Sequence, residues 1–413
     1  MDDIEARFMP GRARELQLGS LRLRADDLID VSSAANMHLL PDLLDEKRLL
    51  APAPDLVRTL EQYPPLADPP QDLEQGFARF LTRWTKVPIE PEEVVAFGGV
   101  YGAFKTIALA QAGKYVFLPE FTHETHKAAF AALGKTVVEI PIRIYSDNRL
   151  DLEFLERQLA RRAEDTAFVY LYHAKPAELD AAYYRKIGRL LGKYRVLGLV
   201  DLDAWYVAHR PGVLPWLPLT IPALRRSALL LFNMSKELGA PGLRVGFGVM
   251  PRAVARHIRN FQQITLDIQS PTSRLLAGRI LEAADLSRSR TVLRERMRAL
   301  IEGLQGLGFS IKAPAYGVNL FLHIPESFEG PPDILPDHLF AYYLLARARI
   351  MVRPASSHGH RLNHFVRFVL SQPVGKIKEA IRRLRDAGVR PDMSLPLGLV
   401  DEYHSFIKSS RKK

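Results

Sequence analysis

Cysteine is absent from this chain of 413 residues. That absence excludes disulfide bonds, thiolate metal sites and cysteine nucleophiles. The sequence also has no apolar run of membrane-spanning length, and its first residues are acidic and do not form the apolar core of a secretory signal. We therefore expect a cytoplasmic protein with no membrane partner.

An acidic excess is lacking as well, since the formal net charge is +11 and the pI is about 9.7. Such a charge raises the question of nucleic-acid binding. The basic residues, however, are scattered along helical patterns, and no helix-turn-helix, Cys/His finger or aromatic RNA-binding signature accompanies them. We expect the charge to favour anionic ligands and solubility, with no nucleic acid as partner.

What the chain does have is a series of short apolar runs that alternate with helical patterns between about residues 92 and 250. Most runs are continuously apolar, which is typical of strands buried on both faces. Together they predict an α/β fold with a large domain built on a mainly parallel, seven-stranded sheet covered by helices on both sides. The predicted strands are 94–97, 115–118, 136–140, 167–172, 196–200, 228–232 and 244–250.

A second set of apolar runs follows a long helical region and predicts a smaller α/β domain at the C-terminal end of the chain. Its predicted strands are 308–311, 318–322, 350–353 and 365–370. The predicted organisation is an N-terminal arm at 1–45, a large domain at 46–285, a small domain at 286–390 and a tail at 391–413.

Residues 233–246 are the stretch most suggestive of chemistry. Lys236 follows a predicted buried strand, where an amine is costly unless it is paired or used chemically. Arg244 stands eight positions further on, between Gly242 and Gly246, where the main chain can approach a ligand closely. A desolvated amine is nucleophilic, and a guanidinium suits a phosphate. The alternative is a surface lysine in a glycine-rich loop.

This stretch resembles the Schiff-base segment of fold-type I pyridoxal-phosphate-dependent enzymes, the class I/II aminotransferase family, in a form similar to histidinol-phosphate aminotransferase. The family pattern is Ser-x-Ser-Lys followed by Gly-x-Arg-x-Gly. Here Asn233 replaces the first Ser and Ser235 is the second. The resemblance implies pyridoxal 5'-phosphate as cofactor, bonded to the Lys236 amine, with Arg244 on its phosphate.

Two further segments bear on the cofactor. Gly99, Val100 and Tyr101 join a predicted strand to a helix, whose free N–H groups can hold an anion. The resemblance implies that the phosphate binds there, although such turns also occur for steric reasons. His123 occupies the position of the family's ring over the pyridine and could also move protons, or else is an exposed loop histidine.

The resemblance implies that Asp203 binds the pyridine nitrogen and that Tyr206 binds the 3-oxygen, because Asp-x-x-Tyr ends a predicted strand here as in the family. Asp201, two residues earlier on the same side of the strand, is the alternative partner. The family's Asn at the 3-oxygen is replaced by Lys175, with His173 as its possible substitute.

The substrate side of the site is implied by the resemblance in the same way. Arg367 matches the arginine that binds the substrate α-carboxylate, with a structural ion pair as the alternative. His358 lies where the family has a Phe-Gly loop, and Asn36 lies in the segment that lines the substrate pocket. Tyr63 stands where the family's tyrosine reaches the partner subunit's cofactor, so a homodimer is expected. No acidic residue lies among the histidines near His358, so no metal is expected.

The sequence therefore predicts a pyridoxal-phosphate-dependent enzyme that acts at the α-carbon of an amino acid through an aldimine. Transamination with a 2-oxo acid co-substrate is the leading interpretation. The alternative is a decarboxylase, eliminase or cyclase, motivated by His123, Lys175 and the altered loops. A third hypothesis is an inactive homologue that binds the cofactor.

Overall fold

The computed structural model of the protein describes residues 27–33, 37, 39, 70–143, 146–172, 180–202, 207–236, 238–265 and 267–411. Its strands, in chain order, are β1 (Ile29–Asp30), β2 (Val94–Phe97), β3 (Tyr115–Pro119), β4 (Thr136–Ile140), β5 (Thr166–Leu171), β6 (Gly198–Asp201), β7 (Ala228–Asn233), β8 (Gly246–Val249), β9 (Asn319–His323), β10 (Ile350–Met351), β11 (Arg353–Pro354) and β12 (Phe365–Val369).

The α-helices of the described residues alternate with these strands over most of the chain. They are α1 (Asp72–Thr85), α2 (Gly99–Ala110), α3 (Glu124–Ala132), α4 (Leu152–Arg162), α5 (Ala181–Tyr194), α6 (Pro222–Ser227), α7 (Arg252–Thr265), α8 (Pro271–Ala283), α9 (Leu286–Gln305), α10 (Pro336–Tyr343), α11 (Val374–Asp386) and α12 (Leu399–Arg411). None of the helices in these described ranges is long and apolar enough to cross a membrane.

The chain divides into two compact units. The large unit comprises the described residues of Ala35–Arg294 and Pro314–Val318. The small unit comprises those of Met1–Ala34, Glu295–Ala313 and Asn319–Lys413. Strand β1 thus belongs to the small unit, and the boundaries predicted for arm, domains and tail stay predictions.

The large unit is built on a seven-stranded sheet in the order β2-β8-β7-β6-β5-β3-β4. Strands β3 to β7 pair in parallel, whereas β8 runs antiparallel to both β7 and β2. The central strands are buried along nearly their whole length, as continuous apolar runs require when helices cover both faces. The predicted fold class, a mainly parallel seven-stranded α/β sheet, is confirmed.

Two buried polar side chains of α7 protect the edge strand β2. Arg259 Nη1 donates to the carbonyl oxygens of Glu92 and Val94, at 3.2 and 2.9 Å, and Gln262 Nε2 donates to that of Ala96 at 2.8 Å. Edge carbonyls that would otherwise lack partners are thereby satisfied. The start of α2, which directly follows β2, is consequently tied to the rest of the unit.

The small unit contains a parallel pair, β1 with β10, and an antiparallel sheet in the order β11-β12-β9. All five residues of β12 are buried, and Arg367 lies at its centre opposite Phe321 of β9. The expected strand at 308–311 is wrong. Gly308 has a left-handed φ of 94°, and the Phe309 N–H bonds back to the Leu304 carbonyl, so these residues close the end of α9.

Candidate active site

Lys236 lies in the hairpin connection, residues 234–245, that joins β7 to β8. Asn233 Oδ1 accepts hydrogen bonds from the N–H and the Oγ of Ser235, at 3.0 and 2.6 Å, and so fixes the turn immediately before the lysine. The Ala240 N–H donates to the Met234 carbonyl at 3.1 Å and closes the loop. The Lys236 side chain is half-buried at the edge of the sheet where the parallel strands end.

Arg244 does not extend β8, as the predicted strand 244–250 required. Its φ is 54°, in the left-handed region, and the strand begins at Gly246. The Nη1 of Arg244 donates to the Pro241 carbonyl at 3.2 Å. The change of direction sends the guanidinium toward the first residue of α2, Gly99, instead of into the sheet.

At the start of α2, the main chain and Arg244 form an anion cradle. The N-cap of this helix is Gly98, which has no side chain with which to cap it. Gly99 has a φ of 74°, and a Cβ placed on it would lie 3.0 Å from the Arg244 Nη2. A Cβ on Gly246 would lie 3.2 Å from the Gly99 Cα. Helix N–H groups and a guanidinium at such close quarters fit a phosphate.

Tyr101 and His123 are linked through one hydroxyl. The Tyr101 hydroxyl hydrogen-bonds to Thr125 Oγ1, which in turn lies 2.7 Å from His123 Nδ1. His123 is the N-cap of α3, and its Nδ1 also accepts from the Thr125 N–H at 3.3 Å. This series of hydrogen bonds fixes the plane of the His123 ring. Its role over the pyridine stays a prediction.

His126 is a member of the site that the sequence reasoning missed. Its Nδ1 lies 3.1 Å from the Tyr170 hydroxyl, which donates to Asp201 Oδ2 at 2.6 Å. Since the single hydroxyl proton goes to Asp201, His126 Nδ1 must carry the hydrogen in its own contact with Tyr170. The signal available in the sequence was the three-residue spacing from His123, which places both histidines on one face of a helix.

The environment of His126 keeps its imidazole neutral. Aromatic rings surround it, with centroids between 5.1 and 5.7 Å away for Tyr101, Phe104, Tyr170 and Tyr172. Burial lowers the pKa of His126 from 6.5 to about 3, with smaller contributions from the charges of His123 and Lys236. Lys236 is therefore close enough to His126 for the two to interact electrostatically.

In the small unit, Arg367 is the centre of a second cluster. Its side chain is 7% exposed; Nη1 lies 2.8 Å from His358 Nε2, and Nη2 donates to the Ser32 carbonyl at 2.7 Å. The two interpretations of Arg367, carboxylate binding and a structural ion pair, both stay predictions. His358 is 1% exposed and stacks edge-on against Phe321.

Several predicted site residues lie outside the described residues. They are Asn36, Tyr63, His173, Lys175, Asp203 and Tyr206. The choice between Asp201 and Asp203, and that between Lys175 and His173, accordingly stay open. Among the residues that the structure does describe, no group of three or more His, Cys, Asp or Glu could hold a metal ion.

The match to a family model decides the relationship. Residues 53–384 match the model described as aminotransferase class I and II. The chain belongs to this family. Its members use pyridoxal phosphate, which suits the phosphate cradle formed by Arg244 and the start of α2.

Individual relatives agree with the family match. This chain is 25% identical over 336 residues to the LL-diaminopimelate aminotransferase of Gloeobacter violaceus. The alignment covers 79% of this chain and 83% of the relative. The chain is 24% identical over 392 residues to the glutamate-pyruvate aminotransferase AlaC of Escherichia coli, covering 92% and 91%. The solved aspartate aminotransferase from Rhizobium meliloti has the same fold, with a TM-score of 0.73, 21% identity and coverage of 93% and 95%.

The predicted family, fold, enzyme class and cofactor are confirmed by these findings. The protein is a pyridoxal-phosphate-dependent aminotransferase, and amino acids and 2-oxo acids are the substrates that its family implies. None of the similarities supports a decarboxylase, eliminase or cyclase.

Proposed function

We propose that the Lys236 amine carries out the chemistry of this aminotransferase and that Arg367 binds the substrate α-carboxylate. The single observation that carries the proposal is the hairpin between β7 and β8. It holds Lys236 at the end of a buried strand and directs Arg244, on the same loop, against Gly99 at the N-terminus of α2.

Each of these side chains has a distinct task in the proposal. Arg244 and the N–H groups of Gly99, Val100 and Tyr101 hold the phosphate. When bound, pyridoxal phosphate supplies an electron sink for negative charge at the substrate α-carbon. The Lys236 amine would hold the cofactor covalently, and in its free neutral form it would move the proton at the substrate α-carbon.

Other residues orient and protonate the cofactor ring in this proposal. His123 would hold the ring of the cofactor, and either Asp203 or Asp201 would keep its nitrogen protonated. The network from Asp201 through Tyr170 to His126 supports Asp201 as an acceptor with fixed orientation. The remaining proposed contacts are Tyr206, Lys175, Asn233, Ser235 and, from a partner subunit, Tyr63 for the cofactor, with Asn36 and, acting through Arg367, His358 for the substrate.

The proposal includes a homodimer in the cytoplasm. Its support is the resemblance that places Tyr63 at the cofactor of a neighbouring subunit. Light scattering of the protein loaded with cofactor tests it, since a dimer is expected and a monomer would contradict it.

Borohydride trapping tests the role of Lys236 directly. Reduction of the protein with bound cofactor is expected to bleach its absorbance and to fix the label on the peptide that contains Lys236. Lys236→Ala should lower turnover by at least about 10³-fold, whereas Lys105→Ala, which removes an exposed lysine paired with Asp267, should not. A label on another residue, or a fully active Lys236→Ala protein, would refute the assignment.

A panel of amino acids assayed with 2-oxoglutarate then identifies the amino donor. Amino transfer to the keto acid is expected. Product formation without consumption of the keto acid would contradict transamination.

A further inference from the structure

Two acceptors, the Ser32 carbonyl and His358 Nε2, contact the guanidinium of Arg367. A guanidinium has five N–H donors and no acceptor. The Ser32 carbonyl takes one donor of Nη2, and His358 Nε2 lies 2.8 Å from Nη1. Because arginine can only donate, His358 Nε2 must present its lone pair to Arg367.

The other side of the His358 ring leads to the same tautomer independently. His358 Nδ1 lies 3.1 Å from Ser357 Oγ, and that hydroxyl donates its only proton to the Pro354 carbonyl at 2.8 Å. Ser357 Oγ also accepts from Arg353 Nε at 3.1 Å. Ser357 therefore has no proton for His358, and His358 Nδ1 must be the donor. Both contacts require a neutral imidazole with hydrogen on Nδ1.

Both acceptors are anchored to the small unit. The Ser32 N–H and Oγ donate to Asp30 Oδ1, at 2.9 and 2.6 Å, and Val31 exchanges main-chain hydrogen bonds with Met351 and Val369. The loop that carries His358 is held by buried Asp337, whose Oδ2 accepts from the Ser356 N–H at 2.7 Å. The guanidinium is thus fixed from two rigid sides.

We propose that His358 is a positioning residue that orients Arg367 for the substrate α-carboxylate by accepting a hydrogen bond from Nη1. The proposal rests on the carboxylate-binding role proposed for Arg367. In the family pattern the corresponding loop is Phe-Gly, and a phenyl ring cannot accept this bond in the plane of the guanidinium. His358 is therefore a device of this chain that adds a polar constraint where the pattern has an apolar contact.

The proposal predicts an effect on binding of both substrates. Because the amino acid and the 2-oxo acid share the α-carboxylate, His358→Phe should raise both KM values roughly tenfold, by losing a hydrogen bond to a charged group, with a smaller change in kcat. His358→Gln keeps an acceptor and should raise them less than about threefold. The measurements use the fastest donor of the amino acid panel and 2-oxoglutarate.

A double-mutant cycle separates positioning from a purely structural role. Arg367→Lys alone should raise both KM values, and adding His358→Phe to it should have less than about a twofold further effect, because the two residues act as one unit. If the His358→Phe variant does not fold, Ser357→Ala replaces it in the double-mutant cycle, because this substitution removes the acceptor of the His358 Nδ1–H. Cofactor absorbance and the unfolding midpoint verify each variant.

The outcomes distinguish the two proposals. If Arg367→Lys leaves both KM values unchanged, the carboxylate role is wrong and the positioning role falls with it. If Arg367→Lys acts but His358→Phe does not, or if His358→Phe keeps its full effect in the Arg367→Lys background, the positioning role alone is overturned.

Discussion

The phosphate cradle of the large unit and the Arg367 cluster of the small unit, to which we assign anion binding, are built from different chemical groups. The cradle consists largely of main chain: the uncapped start of α2, Gly99 with a positive φ and the hairpin that carries Arg244. The Arg367 cluster depends on side chains, since His358 and Ser357 form a directed series of hydrogen bonds to its guanidinium.

This difference indicates which of the two regions is altered more easily by amino-acid substitution. Helix N–H groups are present whatever the side chains, so a main-chain cradle is disturbed only where a side chain enters the space of the ligand. A series of side-chain hydrogen bonds changes with any single substitution along it. We therefore expect substrate selection to be adjusted in the small unit, with the cofactor half left intact.

The largest effect is expected when a methyl group is placed in the phosphate cradle, which tests whether the cradle depends on its main chain. Gly99→Ala and Gly134→Ala are matched, because φ is +74° and +75° at the two positions. A Cβ at Gly99 meets Arg244 at 3.0 Å, whereas a Cβ at Gly134 would have no described atom within 4 Å beyond its own residue and its chain neighbours. Both variants should lose about 1 kcal/mol of stability from backbone strain. Only Gly99→Ala should also lose cofactor affinity, by roughly a hundredfold.

Spectroscopic titration of the apoprotein with pyridoxal phosphate measures that affinity, and urea unfolding measures the stability. Wild-type affinity in Gly99→Ala would show that the start of α2 is not the phosphate site. An equal loss of affinity in Gly134→Ala would show that backbone strain alone is responsible.

A smaller effect is expected from the anchor of the side-chain cluster, Asp337. This carboxyl is fully buried, and burial raises its pKa above the ordinary 3.8. A raised pKa in the folded state means that its contribution to stability is complete below about pH 3.8 and is lost as the pH rises through the folded value. Asp337→Asn keeps an acceptor for the Ser356 N–H and removes the titration. Asp337→Ala removes both and should cost about 1–3 kcal/mol.

Urea unfolding at pH 5 and pH 8 distinguishes these variants. The stability of wild type relative to Asp337→Asn should fall as the pH rises. A constant difference between wild type and Asp337→Asn would contradict the raised pKa.

The smallest effect on stability at neutral pH is expected from His126, the buried histidine of the large unit. Because burial lowers its pKa from 6.5 to about 3, the folded state binds fewer protons than the unfolded chain between these values. Its contribution to stability is therefore complete above pH 6.5 and is lost toward about pH 3, by up to about 1.4 kcal/mol per pH unit. His126→Phe should reduce this acid sensitivity, while Tyr170→Phe, which keeps the imidazole, should retain it. Equal slopes for wild type and His126→Phe in unfolding from pH 7 to pH 4 would refute the assignment.

The sequence was sufficient for the features that depend on local patterns. Strand β2 lies at 94–97 as predicted, because a continuous apolar run between a turn and a glycine has few other solutions. Arg244 lies outside its predicted strand, since an apolar pattern does not reveal a left-handed residue. The same limit applies to Gly308, whose apolar neighbours resemble a strand but close a helix.

The contacts between distant segments could not be predicted in this way. His126, Tyr170 and Asp201 come from α3, β5 and β6, and only the pairing of the strands brings them together. The contact of Ser32 with Arg367 spans most of the chain, and no spacing rule connects them. Site residues defined by one motif were therefore within reach, whereas the groups that hold them in place were not.

The reversed direction of β8 has one more consequence. Because β8 is antiparallel to β7, residues 234–245 join the two strands at one end of the sheet, whereas a parallel neighbour would require the chain to cross to the other end. Lys236 and Arg244 thus lie on the same connection, and the number of residues between them limits the distance between their side chains. Lengthening that connection by a single residue between 237 and 243 would displace the amine and the guanidinium relative to each other, so this turn should tolerate substitutions far better than insertions.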